Sequence, residues 1–460
     1  MRSAPSAALS DVAAIRRGAA ILLLAAFATA VLAPSLFWLL LTGTVVAGIG
    51  VLAFRFTEVF TVAWLLIAGA TLEMILGDLL GEWWFQATIA AVKGAGLGLT
   101  AIAALRWGAR LDAFNPAWAW CAMFLGGWVH GLYPGLTLDD SVRSLIGSVA
   151  PFAFGFARVS RRWADAVIRV TPWIPLCSVA AGAVFDLAGV RPLFVNSAGF
   201  RLAGLGHPAF LAGVAQTAVY ASLLAIFRQG RWADLVLLGT NFLILLLTGA
   251  RAPLSYAIAV GSLATVLVRS PAFPARHRLL LILSAATVLL FALLLLGAVG
   301  ADLSMVRAFN VLEIGVGNLS GRQLLWPNFE QAAALSPWVG WGVGAGNVII
   351  PQGGLVAELL HTWAAHNEYL RVAAEGGELG RALMILMFVL WVARHTRALP
   401  QADKVIMRLA FIAFAGHAFT DNLLISTPAC VLFTFAIAVF ARGEWEAREN
   451  RRLPDSLPEA

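Results

Sequence analysis

The 460-residue chain is 60% hydrophobic and only 12% charged, against roughly 25% charged in an ordinary soluble domain. Mean hydropathy is +0.83, which excludes a string of soluble domains and reads as one membrane body. The net charge of +7 does not point to nucleic acid, because the basic residues punctuate the chain between apolar runs instead of clustering.

A helix needs about 20 apolar residues to cross the hydrocarbon at 1.5 Å per residue. In chain order the apolar runs are 18–33, 36–54, 59–76, 85–105, 116–132, 142–157, 166–187, 208–227, 235–247, 252–268, 279–299, 377–393, 409–419 and 423–440. The first is followed by Pro34 and at once by another run, so it reads as a retained helix and not a cleaved signal. The expected fold is an all-α polytopic integral membrane protein of about 12–14 transmembrane helices. The expected segments are 1–299 for helices 1–11, 300–376 for a large outer loop, 377–441 for the last helices and 442–460 for an inner tail.

Arginines fix the orientation. With the N-terminus inside, the inner loops hold Arg16, Arg17, Arg55, Arg106, Arg110, Arg158, Arg161, Arg162, Arg228, Arg231, Arg269, Arg276, Arg278, Arg394, Arg397 and Arg408, and the tail holds Arg448, Arg451 and Arg452. That is the positive-inside pattern of an inner-membrane protein with both termini cytoplasmic. Cys121, Cys177 and Cys430 fall in apolar runs without metal-type spacing and read as packed thiols.

One connection is long. Residues 300–376 make an outer loop of roughly 75 residues, beyond the usual length of connections, and long loops on rigid scaffolds carry function. It holds Trp326, Trp338 and Trp341, the run Gly342, Gly344, Gly346, and two histidines, His361 and His366. The glycine run has the wrong spacing for a dinucleotide fingerprint and reads as a tight turn. The tryptophans read as packing or interface anchors. Five residues of helix would turn His361 and His366 about 140° apart, so they do not form an i, i+4 metal pair.

Basic residues on the outer side or within spans run against the inside bias: Lys93, Arg143, Arg191, Arg201, Arg251, Arg307, Arg322, Arg371 and Arg381. Each is either a snorkelling side chain or a fork for phosphate oxygens, since guanidinium binds them bidentately and never loses its charge. Asn367 follows His366 directly, and a neutral histidine there can take a proton from a hydroxyl. Among the acidic residues at span ends, Asp421 in "HAFTDN" belongs to an outer turn and can face the same site.

These residues resemble a known family, the O-antigen ligase and O-antigen polymerase-like membrane proteins. The match is His366–Asn367, nine residues, Gly377, two residues, Gly380. "LLTGARAPLSYA" looks like the family's turn with an essential arginine, "GRQLLW" like its second arginine site and "GVGAGN" like its upstream glycine run. The resemblance covers roughly residues 235–440. It implies a GT-C-type, metal- and cofactor-independent glycosyltransferase of the inner membrane. Such an enzyme moves a glycan from undecaprenyl diphosphate to an acceptor hydroxyl on the periplasmic face. It implies His366 as general base and Arg251 and Arg322 at the diphosphate, with Asn367, Arg201 and Asp421 as supporting residues. The acceptor is lipid A–core for a ligase, the favoured reading, or another lipid-linked repeat unit for a polymerase. A transporter or flippase of lipid-linked sugars is the alternative of another class. It would place its site near the bilayer midplane in an internal repeat, and no such repeat is visible.

Overall fold

The computed structural model describes residues 34–196, 200–274, 276–278, 322–360 and 362–452. The expected spans 18–33 and 279–299, the loop stretch 300–321 with Arg307, His361 and the end of the tail lie outside the described residues. The chain divides into two compact units, Met1–Thr57 and Glu58–Ala460.

In the first unit, α1 (Pro34–Arg55) is apolar along its whole length and ends on Arg55. The second unit opens in α2 (Thr57–Ala70), which breaks at Thr71 in the left-handed region, φ 53°, before α3 (Leu72–Leu80). Then follow α4 (Glu82–Trp107), α5 (Ala117–His130) and α6 (Leu138–Val149). After these come α7 (Arg161–Val170) and α8 (Ile174–Leu187), joined through a short 3-10 turn. A small antiparallel hairpin, β1 (Phe194–Asn196) and β2 (Phe200–Leu202), precedes α9 (Pro208–Gln229), α10 (Trp232–Leu247) and α11 (Arg251–Leu267). The remaining helices are α12 (Arg322–Leu335), α13 (Leu355–Leu360), α14 (Glu368–Thr396), α15 (Gln401–His417) and α16 (Thr427–Arg452).

Helices α9 and α16 are buried over most of their length and pack against each other. A helix buried on most sides belongs in the centre of a bundle, and within the second unit α10, α11 and α15 pack on α9 while α7 packs on α16. Among the described residues five helices are long and apolar enough to cross a membrane, fewer than the spans expected. The reason is local. The run 142–157 is an amphipathic helix, α6, with Asp139, Asp140 and Arg143 in its exposed first turns, followed by a 3-10 segment. Helix α5 has 14 residues, about 21 Å, short of the roughly 30 Å hydrocarbon core.

Basic residues read as facing one side do come together. Arg228, Arg442, Asp403 and Glu446 form one ion-pair cluster, and Arg110, His395, Asp112 and Glu444 form another. Arg161 pairs with Glu449 beside them. His366 and Asp421 lie at the opposite ends of α14 and α15 from these clusters. Of the cysteines, Cys430 is buried but Cys177 is exposed, so only the former is packed as expected.

Candidate active site

The motif His366–Asn367 starts α14. Asn367 caps the helix: its side-chain oxygen accepts from the backbone N–H of Tyr369 at 3.0 Å and of Leu370 at 3.2 Å, filling the donors that a helix start leaves open. His366, one residue earlier, sits at φ 47°, a left-handed conformation that costs a non-glycine residue about 1–3 kcal/mol. Its neighbours hold it there. The Trp326 indole donates to the Ala365 carbonyl at 3.0 Å, and the Glu368 N–H donates to Ala418 at the end of α15 at 2.8 Å.

The result is a ring fixed at both nitrogens. His366 Nδ1 lies 3.2 Å from Asp421 Oδ1, and Nε2 lies 3.1 Å from the Thr362 hydroxyl. Burial alone raises the Asp421 carboxyl, but the His366 ring, His417 and the Asn422 N–H outweigh it and hold the group down at about 2. An ionised Asp421 only accepts, so in the neutral imidazole Nδ1 carries the proton and Nε2 is left with the lone pair facing the Thr362 hydroxyl. His417 Nε2 lies 4.0 Å from the other Asp421 oxygen.

Arg322 and three histidines lie within electrostatic reach of this carboxylate. Arg322 starts α12. Burial draws its guanidinium below the ordinary value and the Asp421 charge opposes that shift, which places the two within electrostatic reach. His207 caps α9, accepting the Ala209 N–H on Nδ1 at 3.2 Å. His207 is exposed on one side, yet lost hydration where the protein packs against it, then the charges of Arg201 and Arg191, push it down to about 4, with Asp421 and His366 also acting on it. Arg201, from β2, donates through Nε to the Thr248 carbonyl at 2.8 Å and so braces the turn that leads into Arg251. Arg251 opens α11, whose Tyr256 ring lies 6.0 Å from His417.

His366, Asn367, Asp421, Arg322 and Arg201 thus gather at one end of the bundle, and Arg251 begins a helix packed against α15 there. Others expected on chemical grounds have structural partners instead. Arg371 is buried between Glu368 and Glu375 and stacks over Trp120. Arg143 pairs with Asp139, Arg191 with Asp78 and Arg381 with Glu378. Thr362, His207 and His417 escaped the sequence reading. For His417 there was a signal, its i, i+4 spacing to Asp421, but Thr362 and His207 reach the site only through the fold.

The motif glycines also have a physical role. The first helical stretch of α14 ends at the Gly376–Gly377 pair, where Gly377 stands at φ 61°, and a second stretch continues to Thr396. The freed backbone groups are taken up by the segment before the glycine run. Trp341 and Gly342 N–H donate to Ala374 and Glu375 carbonyls at 3.0 and 2.8 Å, and Glu378 N–H donates to Pro337 at 2.8 Å. A Cβ on Gly377 would lie 2.3 Å from the Trp338 carbonyl carbon, so no larger residue fits. Gly342 and Gly344, at φ 86° and 99°, make the expected tight turn. Trp326 and Trp341 pack as expected, whereas Trp338 is exposed.

An apolar groove of about 390 Å³ runs between α14 and α15. It begins at Glu368, Tyr369, Ala418 and Leu424, beside His366 and Asp421, and passes Phe388, Val389 and Ile412. Among the described residues no group of three or more His, Cys, Asp or Glu side chains is placed to hold a metal ion.

The class defined so far is a largely helical, multi-pass membrane protein with a histidine–carboxylate pair beside an arginine. Residues 235–385 match the family model described as O-Antigen ligase, and over this stretch the chain is similar to the O-antigen ligase-like family. The match takes in Arg251, Arg322, His366, Gly377 and Gly380. Members are glycosyltransferase-like enzymes, which supports an activity of O-antigen ligase or polymerase type on lipid-linked glycans. No curated protein matches the chain.

Proposed function

We propose that the chain is an O-antigen ligase. It transfers a glycan from undecaprenyl diphosphate to a lipid A–core hydroxyl at the periplasmic face of the bacterial inner membrane. The observation that carries this reading is the His366 ring, held on Nδ1 by Asp421 with Nε2 already facing a hydroxyl, that of Thr362. In the reaction the acceptor oxygen attacks the anomeric carbon and its proton passes to Nε2. The bond to the diphosphate breaks with its electron pair on the leaving oxygen. Asp421 keeps the ring in the right tautomer and stabilises the imidazolium.

Arg322 and Arg251 are the residues we assign to the diphosphate, because fixed guanidinium groups stabilise developing phosphate charge without reorganising. Arg201 and Asn367 support the site, the first through the turn before Arg251 and the second through the cap beside His366. The apolar groove that starts at Tyr369 and Leu424 supports a donor with a hydrocarbon tail. The segments 300–376 and 377–441 then serve as the periplasmic loop and the last spans, with 442–460 cytoplasmic.

The acceptor is tested by removing the protein and following what accumulates. A ligase leaves full-length polymer on undecaprenyl diphosphate and bare core on the lipopolysaccharide, which is the expected outcome. Core capped by a single repeat unit would make the protein a polymerase while leaving the roles of His366 and the arginines in place.

A further inference from the structure

Asp421 sits on the turn between α15 and α16, and that turn is tied down by side chains far away in sequence. The Leu424 N–H donates to Glu368 Oε1 at 2.6 Å. The Lys93 ammonium, from the middle of α4, donates to the Ile425 carbonyl at 2.9 Å. The Thr427 hydroxyl donates to Glu73 Oε1, from α3, at 2.6 Å. Lys93 is 8% exposed and Glu73 is 1% exposed. Gly147, on α6, leaves the room Lys93 needs, since a Cβ there would come within 3.0 Å of its Nζ.

Burying an ammonium and a carboxylate in a membrane body is costly, and apolar residues of similar volume would pack these helices at least as well. Both charged groups are directed at the same short turn, one at Ile425 and one at Thr427. The same turn is also held by Glu368, by His366 and His417 on Asp421, and by the Trp326 and Tyr369 rings against Phe419. A displacement of about 1 Å at a reacting group is enough to cost on the order of 10²-fold in rate. We infer that Lys93 and Glu73 are positioning residues that clamp the 418–427 turn, keeping Asp421 within hydrogen-bond reach of His366. The inference rests on the reading of His366 as general base.

The test uses purified full-length protein in nanodiscs with a polyprenyl-diphosphate-linked glycan and its acceptor. Lys93→Met is expected to lower kcat about 10- to 100-fold with KM for donor and acceptor unchanged. Asp421→Asn alone should lower kcat as well, and adding Lys93→Met to it should cost little more, because both act through one carboxylate. Glu73→Gln, whose amide oxygen still accepts from Thr427, should keep more rate than Glu73→Leu. Should Lys93→Met fail to fold, Thr427→Val releases the same turn without removing a charge, and the same non-additivity with Asp421→Asn is expected. A folded Lys93→Met with normal kcat, or losses that multiply independently in the double variant, would overturn the clamp. Full activity in His366→Gln would instead overturn the parent reading, so the two failures are distinct.

Discussion

At one end of the second unit Arg228 meets Asp403 through its Nε and both oxygens, at 3.0 and 2.8 Å, and reaches Glu446 at 2.6 Å. Arg110, His395, Asp112 and Glu444 repeat the arrangement a few residues away. At the other end Arg322, His366 and His417 share one carboxylate, Asp421. The two ends use the same residue types to opposite effect. The first matches cations and carboxylates closely and holds the ends of α9, α14, α15 and α16 together. Among the described residues the second places Arg322 and three histidines around one carboxylate, Asp421, which suits an anionic, reacting ligand. What separates scaffold from site is therefore the ratio of partners, not the number of charges.

The sharpest way to break this comparison is at the histidine. His366→Ala should lower glycan transfer by on the order of 10²–10⁴-fold, as expected when a general base is lost. Thermal unfolding should fall only modestly, because alanine keeps the φ 47° backbone while the variant loses the contacts of a part-exposed ring to Asp421 and Thr362. Near-normal transfer by the purified, folded variant would reduce His366 to a structural residue.

The opposite end should behave in the opposite way. Arg228→Met leaves Asp403, fully buried, without its main partner. Breaking a buried ion pair costs about 3–5 kcal/mol, toward the lower end here because Arg442 still reaches Asp403, so the variant should unfold at lower temperature while its rate per folded molecule stays near that of the parent. A selective fall in kcat without loss of stability would show that the charged end takes part in the reaction.

How much of this was legible from the residues can be judged at particular positions. His366, Asn367, Gly377 and Asp421 were visible because a local motif and a short outer turn carry them. The apolar runs located nearly every described helix, since membrane spans announce themselves by composition. What stayed hidden depends on distance along the chain. Lys93 meets Ile425 across 332 residues and Thr427 meets Glu73 across 354, and no periodicity encodes such a pair. Arg371 looked like a candidate phosphate fork, yet its i−3 and i+4 neighbours Glu368 and Glu375 neutralise it inside α14. The break at Gly377 was signalled by the Gly376–Gly377 pair, but the segment that completes its hydrogen bonds, residues 337–342, lies outside the helix and was not.

The smallest expected effect belongs to His207 and sharpens the electrostatic side of the comparison. Its Nδ1 accepts the Ala209 N–H and caps α9, which a protonated ring cannot do from that nitrogen. Partial loss of hydration and the charges of Arg201 and Arg191 hold this exposed ring down to about 4, whereas an unfolded histidine titrates near 6.5. The unfolded chain thus binds more protons than the folded one between these values, so stability rises with pH across that window. Above pH ~6.5 the contribution is complete, and it is lost as the pH falls toward 4. His207→Asn keeps a good helix cap that does not titrate. The Tm of the parent should fall more steeply than that of His207→Asn between pH 7 and about 4.5, with a difference worth about 1 kcal/mol, the size of one cap. Parallel curves would mean that the positive charges of Arg201 and Arg191 are neutralised before they reach His207. The histidine end would then be no more electropositive than the end where Arg228 and Asp403 meet.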